Sequence, residues 1–110
     1  MGTPIEIRVA EAMQRLWNQY LPQIQERVAV LESAALAVTN HTLSDEACAS
    51  ASAAAHKLAG VLGTFGLEEG TLLARKAESI YNAGTSAVAS QSEILRAIAS
   101  GIRALVASKK

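Results

Sequence analysis

Residues 55–78, AHKLAGVLGTFGLEEGTLLARKAE, contain the end of one helical pattern and the start of another. Apolar residues recur at helical spacing as far as Phe65, and Gly66 then supplies the residue type that most often follows the end of a helix. Glu68 and Glu69 come next, in the place where negative charge stabilises the first turn of a helix. The stretch therefore predicts two helices joined by a short link, and helices joined in this way pack as antiparallel neighbours.

The same helical spacing extends outward in both directions, and strand-like alternation of apolar and polar residues is absent from the sequence. Five helical stretches are expected, and Gly66 separates the third from the fourth. We predict an all-α fold, an antiparallel up-and-down four-helix bundle with an additional N-terminal helix. The expected boundaries are Leu21-Pro22 at the start of the second helix, a loop at Asn40 and His41, an N-cap at Ser44, a fourth helix over 67–82, and a loop from Gly84 to Ser86.

The composition limits the classes of protein to which the chain can belong. Half of the 110 residues are hydrophobic but only 4% are aromatic, which favours alanine-rich helix packing within one domain. Ten basic residues balance ten acidic ones, so we expect neither nucleic acid nor a membrane surface as a partner. No apolar run approaches the roughly 18 to 20 residues that span a bilayer, and the amino terminus lacks the pattern of a signal peptide. The expectation is a cytoplasmic monomer.

His56 lies on the third helical stretch, on the side away from the apolar face of that helix. At about 100° per residue, its nearest neighbours on the helix surface are small, so another protein could approach the imidazole closely. Each glycine costs a helix interior roughly 1 kcal/mol relative to alanine, so two glycines on this face need a reason. Periodicity alone still favours an ordinary surface histidine beside glycines that allow close helix packing. The neighbours on this face are Ser52, Ala53, Ala59, Gly60 and Gly63.

Taken as a whole, residues 55–78 resemble the signature of histidine-containing phosphotransfer (HPt) domains. That signature is a histidine followed by x-Leu-Lys-Gly, a stretch of small residues, an apolar-Gly pair and a helix ending in Glu. The resemblance implies one helical domain over residues 1–110, either a whole protein or a part of a larger signalling protein. The matching positions are His56, Leu58, Gly60, Gly63, Phe65, Gly66, Leu73, Ala74 and Glu78.

The resemblance implies a phosphorelay carrier of two-component signal transduction. His56 would accept a phosphoryl group from the aspartate of one receiver domain and pass it to the aspartate of another. Histidine suits this role because it titrates nearest to neutral pH, which keeps a nucleophilic ring nitrogen available. The receiver's Mg²⁺ and acidic pocket would supply positioning and charge neutralisation, so we expect no cofactor and no metal site on this chain. The sequence has no phosphate-binding glycine loop, and autonomous kinase activity is therefore not expected.

The surface expected to bind the phosphoryl group and the partner surrounds the histidine. One position departs from the family pattern, because Ala59 stands where the family usually has lysine. Lys57, Arg75 or Lys76 could supply the missing charge, although each also fits a solvated residue on an exposed helical face. The absent lysine leaves open an alternative from another class, a helical protein-interaction module that keeps the HPt fold but no longer transfers phosphate. The expected surface consists of Ser52, Lys57, Ala59, Gly60 and Gly63.

Four further residues carry weaker signals. His41 falls in a predicted loop without a motif and is expected to be an ordinary surface histidine. Cys48 has no cysteine partner for a disulfide and no spaced ligands for zinc, so we expect a small buried or half-buried apolar residue in a reducing compartment. Trp17 and Tyr20 lie at helical spacing and are expected to pack in the core and at the end of the bundle.

Overall fold

A computed structural model describes residues 2–109 of the chain, and over those residues the protein is all-helical with no strand. The all-α prediction is confirmed. The lengths differ from expectation, because one helix is very long and one is a single turn. The helices are α1 (Pro4–Thr39), α2 (Asp45–Thr64), α3 (Glu68–Asn82), α4 (Thr85–Val88) and α5 (Ser92–Ser108).

The first two predicted helices are one continuous helix, so the prediction of an additional N-terminal helix is wrong. Pro22 lies inside α1 rather than at the start of a second helix. A proline in a helix interior costs about 3 kcal/mol, because it removes a hydrogen bond and crowds the preceding turn. The helix nevertheless continues, since Trp17 before the proline and Ile24 after it are both buried in the same core. Tertiary packing outweighs the local signal at this position.

The ends of α2 follow the sequence pattern. The Ser44 side chain accepts a hydrogen bond from the Ala47 backbone N–H at 3.0 Å, as expected of an N-cap. At the other end Gly66 has a φ of +77°, a conformation in which a Cβ is strained. The next backbone N–H, that of Leu67, donates to the carbonyl of Leu62 at 2.9 Å. These two ends fix the length of the helix that carries His56.

The link after α3 contains the short helix α4, which the sequence pattern does not predict. The predicted loop begins at Gly84, which has a φ of +94°, but a helix of four residues already starts at Thr85. One turn is too short to show a 3.6-residue period, which is why only a loop was expected over 84–86. Val88 of this turn is fully buried and closes the core at this end.

The core lies between four helices that contact one another in a ring: α1 with α2, α2 with α3, α3 with α5, and α5 with α1. Helix α2 is therefore diagonal to α5. Buried alanines on α2 allow its neighbours to approach closely, and the rings of Trp17 and Phe65 pack edge to face with centroids 5.2 Å apart. Residues 4–11 at the start of α1 are all exposed. The largest fully buried side chains are Trp17, Ile24, Val28, Leu31, Leu58, Leu62, Val88, Leu95 and Ile102.

Candidate functional site

His56 is exposed on α2, as the helical projection predicts. Ala55, just before His56, and Leu58, two residues after it, are fully buried. They fix the rotation of the helix about its axis. The imidazole itself remains 74% exposed. A buried helix face thus holds an exposed side chain that a macromolecular partner can reach.

Glu78 on α3 orients the imidazole. Its Oε2 lies 2.8 Å from Nδ1 of His56, and the carboxylate is itself 26% exposed. Because a carboxylate can only accept, this contact places the proton of a neutral imidazole on Nδ1 and leaves the lone pair on Nε2. Glu78 matches the family pattern in the sequence, but the pattern alone predicts no role for it. The signal that could have found it is the antiparallel pairing of two helices joined at Gly66.

Two further side-chain contacts join α2 to α3 along the same line as His56 and Glu78. The Ser52 hydroxyl donates to Oδ1 of Asn82, and the Thr71 hydroxyl donates to the carbonyl of Ala59 at 3.0 Å. The three contacts occur in antiparallel order along the two helices. Thr71 and Asn82 were not among the predicted site residues, because single-helix periodicity does not show which residues of two helices meet.

The predicted surface around the histidine is only partly reproduced. Gly60 is exposed, and a Cβ built on it would meet no atom within 4 Å. Gly63 is also exposed, but a Cβ there would lie 3.2 Å from the Thr71 hydroxyl oxygen. Lys57 is exposed and Ser52 is half-buried. The structure therefore places these four residues on the solvent side of α2, with Gly60 in the most open position.

Ala59 does not belong to the exposed face, and its placement there is a wrong prediction. Only 7% of this residue is exposed. The projection of α2 by itself put Ala59 beside His56, but α3 covers that side of α2, as the hydrogen bond from Thr71 to the Ala59 carbonyl shows. Gly60 and Gly63 are therefore accessible to another protein, whereas α3 covers most of Ala59.

The three basic residues that could replace the absent lysine are all exposed: Lys57 on α2, and Arg75 and Lys76 on α3. Within residues 2–109, ion pairs join His56 to Glu78 and Glu32 to Arg103, and none involves these three residues. No group of three or more His, Cys, Asp or Glu side chains in the described part of the chain is placed to hold a metal.

The shifted pKa values belong to groups away from His56. Burial raises the pKa of Tyr81 to about 12 and also raises the pKa of the Cys48 thiol, whose Sγ donates to the Tyr81 carbonyl at 3.2 Å. The prediction of a buried Cys48 is confirmed, and a buried thiol with a raised pKa is a poor nucleophile. On the far side, a two-pronged hydrogen bond from Arg103 lowers the pKa of Glu32.

In the comparison with protein-family models, the Hpt domain matches residues 15–108. The chain belongs to the Hpt domain family. Hpt domains are histidine phosphocarriers rather than kinases, and they generally interact with receiver domains. Comparisons with curated proteins and with solved structures gave no match.

The Hpt match includes both members of the His56 and Glu78 pair and both exposed glycines, while the first turns of α1 precede it. The HPt resemblance seen in residues 55–78 is thereby confirmed at the level of the family. Within residues 2–109, no helix of this Hpt domain is both long enough and apolar enough to cross a membrane.

Proposed function

We propose that residues 1–110 form a phosphorelay carrier in which Nε2 of His56 accepts a phosphoryl group from a receiver-domain aspartate and later gives it to another. The observation that carries the proposal is the imidazole geometry: the ring is 74% exposed, and Nδ1 lies 2.8 Å from the Glu78 carboxylate. The nitrogen that points away from Glu78 is the one that attacks. The carrier acts as a cytoplasmic monomer and needs no cofactor of its own.

The transfer step balances with groups that the two domains possess. The Nε2 lone pair forms a bond to phosphorus while the bond from phosphorus to the aspartyl oxygen breaks, and the aspartate leaves as a carboxylate. The Nδ1 proton stays in its hydrogen bond, so the ring becomes cationic beside the negatively charged Glu78. A Mg²⁺ ion bound by the receiver would supply charge neutralisation for the phosphoryl oxygens. The return step is the reverse of this reaction.

Partner docking follows from the open part of the α2 surface. Gly60 and Gly63 leave space beside the imidazole, and Ser52 and Lys57 lie at the edges of this space. A receiver must bring its buried aspartate within bonding distance of Nε2, which requires close approach of the two backbones. Short side chains next to His56 allow that approach, so this face is the proposed receiver-binding surface.

The alternative function is that of a helical interaction module that has lost phosphotransfer. One observation favours it, because Ala59 is a buried methyl group and supplies no cation on α2. The retained exposure of His56 and its contact with Glu78 oppose it, since an interaction module has no need to hold a histidine in one tautomer. We therefore keep the carrier as the proposed function.

The test is the movement of radiolabelled phosphate from phosphorylated receiver domains to this chain. The expected product is acid-labile and alkali-stable, as a phosphohistidine is, and His56→Gln abolishes it. The matched control is His41→Asn, because His41 has a φ of +57° and asparagine tolerates that conformation. Incubation with ATP and Mg²⁺ alone should leave the chain unlabelled. Labelling of the His56→Gln variant at the unchanged rate would contradict the proposal.

A further inference from the structure

A phosphoryl group on His56 needs a positive charge beside it. Its oxygens carry close to two negative charges at neutral pH, and the nearest charged side chain on the same site is the Glu78 carboxylate, 2.8 Å from the ring. The Glu78 carboxylate and a phosphoryl group on Nε2 would be like charges on opposite sides of one imidazole ring, so a cation that reaches the phosphoryl oxygens would stabilise the phosphorylated state. Helix α2 offers only Lys57 near the histidine, since Ala59 is buried and has no charge.

The side chain of Lys57 leaves α2 on the side away from α3. Relative to His56, the residues that meet α3 all lie in one rotational direction: Ser52 at about 40° and Ala59 at about 60°. Lys57 follows His56 directly and lies about 100° in the opposite direction, away from α3. The Cα–Cβ bond of Lys57 therefore leaves α2 on the side away from Glu78.

The register between α2 and α3 places Arg75 beside the site. Ser52 meets Asn82, His56 meets Glu78, and Gly63 comes closest to Thr71, so each step forward on α2 is matched by an equal step backward on α3. The same register puts Arg75 opposite Ala59, one turn from His56. The small methyl group at position 59 leaves room for a long side chain from α3 to extend over it.

Arg75 also shares the face of α3 that meets α2. It is four residues after Thr71 and three before Glu78, both of which contact α2, and residues at these spacings lie on one side of a helix. Arg75 is exposed, and within residues 2–109 it makes no ion pair with a carboxylate. Lys76 is one residue further on and therefore about 100° around α3, off this face.

We infer that Arg75 is the phosphoryl-binding cation of this site: its guanidinium donates to the oxygens of phosphorylated His56 and offsets the charge of Glu78. The inference rests on the proposed carrier function. Arginine suits the role because its planar group can donate two hydrogen bonds to phosphate at once and stays charged at every physiological pH. The positive charge for the bound phosphoryl group thus comes from α3, although the acceptor lies on α2.

The test uses phosphoramidate, a small donor that needs no receiver. The Nε2 lone pair of His56 attacks its phosphorus, the nitrogen-phosphorus bond of phosphoramidate breaks, and ammonia leaves with a proton from solvent. Every variant carries His41→Asn, so that His56 is the only histidine. Arg75→Gln should slow labelling about tenfold, the size expected for loss of charge-assisted hydrogen bonds. Arg75→Lys should recover part of the rate, and Lys76→Gln should stay within about twofold of the parent.

A second readout separates charge neutralisation from a structural effect. The pH at which the phosphoryl group takes up a proton, followed by phosphorus NMR of phosphorylated His56, should rise in Arg75→Gln and stay unchanged in Lys76→Gln. Equal rates and equal titration in these two variants, with normal labelling of the parent, would overturn the role of Arg75 and leave the carrier function standing. A slower rate in Lys57→Gln than in Arg75→Gln would assign the charge to α2 instead. A parent chain that takes no label at His56 would overturn both proposals.

Discussion

Replacing Gly60 with glutamine should make the domain more stable and a poorer partner for receivers. Gly60 follows His56 by four residues, which places it about 6 Å along α2 and about 40° around it. A Cβ at this position would meet no atom within 4 Å, so the new side chain causes no clash within the domain. A receiver that reaches His56 would meet the glutamine, because even small interfaces bury roughly 600 Å² on each side.

The size of the stability effect follows from helix propensity alone. Glycine in a helix interior is destabilising by about 0.5–1 kcal/mol relative to good helix formers, and nothing around Gly60 opposes that gain. For a domain of about this size, the melting temperature should rise by about 2–6 °C. Gly63→Gln should gain less, because its Cβ would lie 3.2 Å from the Thr71 hydroxyl, which is held by the Ala59 carbonyl.

Thermal unfolding followed by circular dichroism measures the stability, and labelled phosphate measures transfer from a receiver. Gly60→Gln should transfer at least about tenfold more slowly, since loss of about 1.4 kcal/mol in docking is a factor of ten, while phosphoramidate labelling stays at the parent rate. Gly60→Ala adds one methyl group and should gain stability with little change in docking. Ala104→Gln, on an exposed part of α5 diagonal to α2, controls for surface glutamine. A lower melting temperature, or transfer at the parent rate, would refute the assignment of the docking face.

Two further variants test other features. Glu78→Gln keeps an oxygen that can accept from Nδ1 but removes the charge that stabilises a cationic ring, so phosphoramidate labelling should slow. Glu78→Ala removes the acceptor as well and should slow labelling further. Equal rates in the parent and both variants would contradict the orienting role of Glu78. Tyr81→Phe should raise the free energy of unfolding by about 1 kcal/mol near pH 7, because the buried hydroxyl finds no hydrogen-bond partner within residues 2–109. Since the folded pKa of Tyr81 is about 12 against an ordinary value of 10.0, the unfolded chain loses this proton first as pH rises. The parent should therefore lose stability between about pH 10 and 12, and Tyr81→Phe should lack that part of the loss in denaturant titrations across this range.

The helices around the site could be predicted from sequence because their signals are local. Ser44 and Gly66 mark the ends of α2 through their own backbone and side-chain chemistry, whatever surrounds them. The exposure of His56 followed from the same helix, since its buried neighbours Ala55 and Leu58 define the inward face. Where one helix contains all the information, periodicity is sufficient.

The features that sequence analysis missed depend on two elements at once. The burial of Ala59 and the partnership of Glu78 with His56 both require the register between α2 and α3, which a single periodic pattern does not contain. The prediction that a helix starts at Pro22 was wrong for a related reason. Helix α1 continues across Pro22 because it packs against a core that the other helices help to form. Local sequence signals predict where helices end, but packing between helices determines whether a helix ends at a given signal.

The contact between Trp17 and Phe65 gives the domain a built-in optical probe. Trp17 is the only tryptophan of the chain, it is 2% exposed, and it packs on the residue that caps the C-terminal end of α2. The ammonium of Lys109, just beyond α5, lies 5.4 Å from the centroid of its ring. The fluorescence of Trp17 should therefore report whether α1, α2 and the end of α5 are packed together. Because Phe65 is nine residues from His56, about 13 Å along α2, the emission should follow unfolding and stay insensitive to the phosphoryl group.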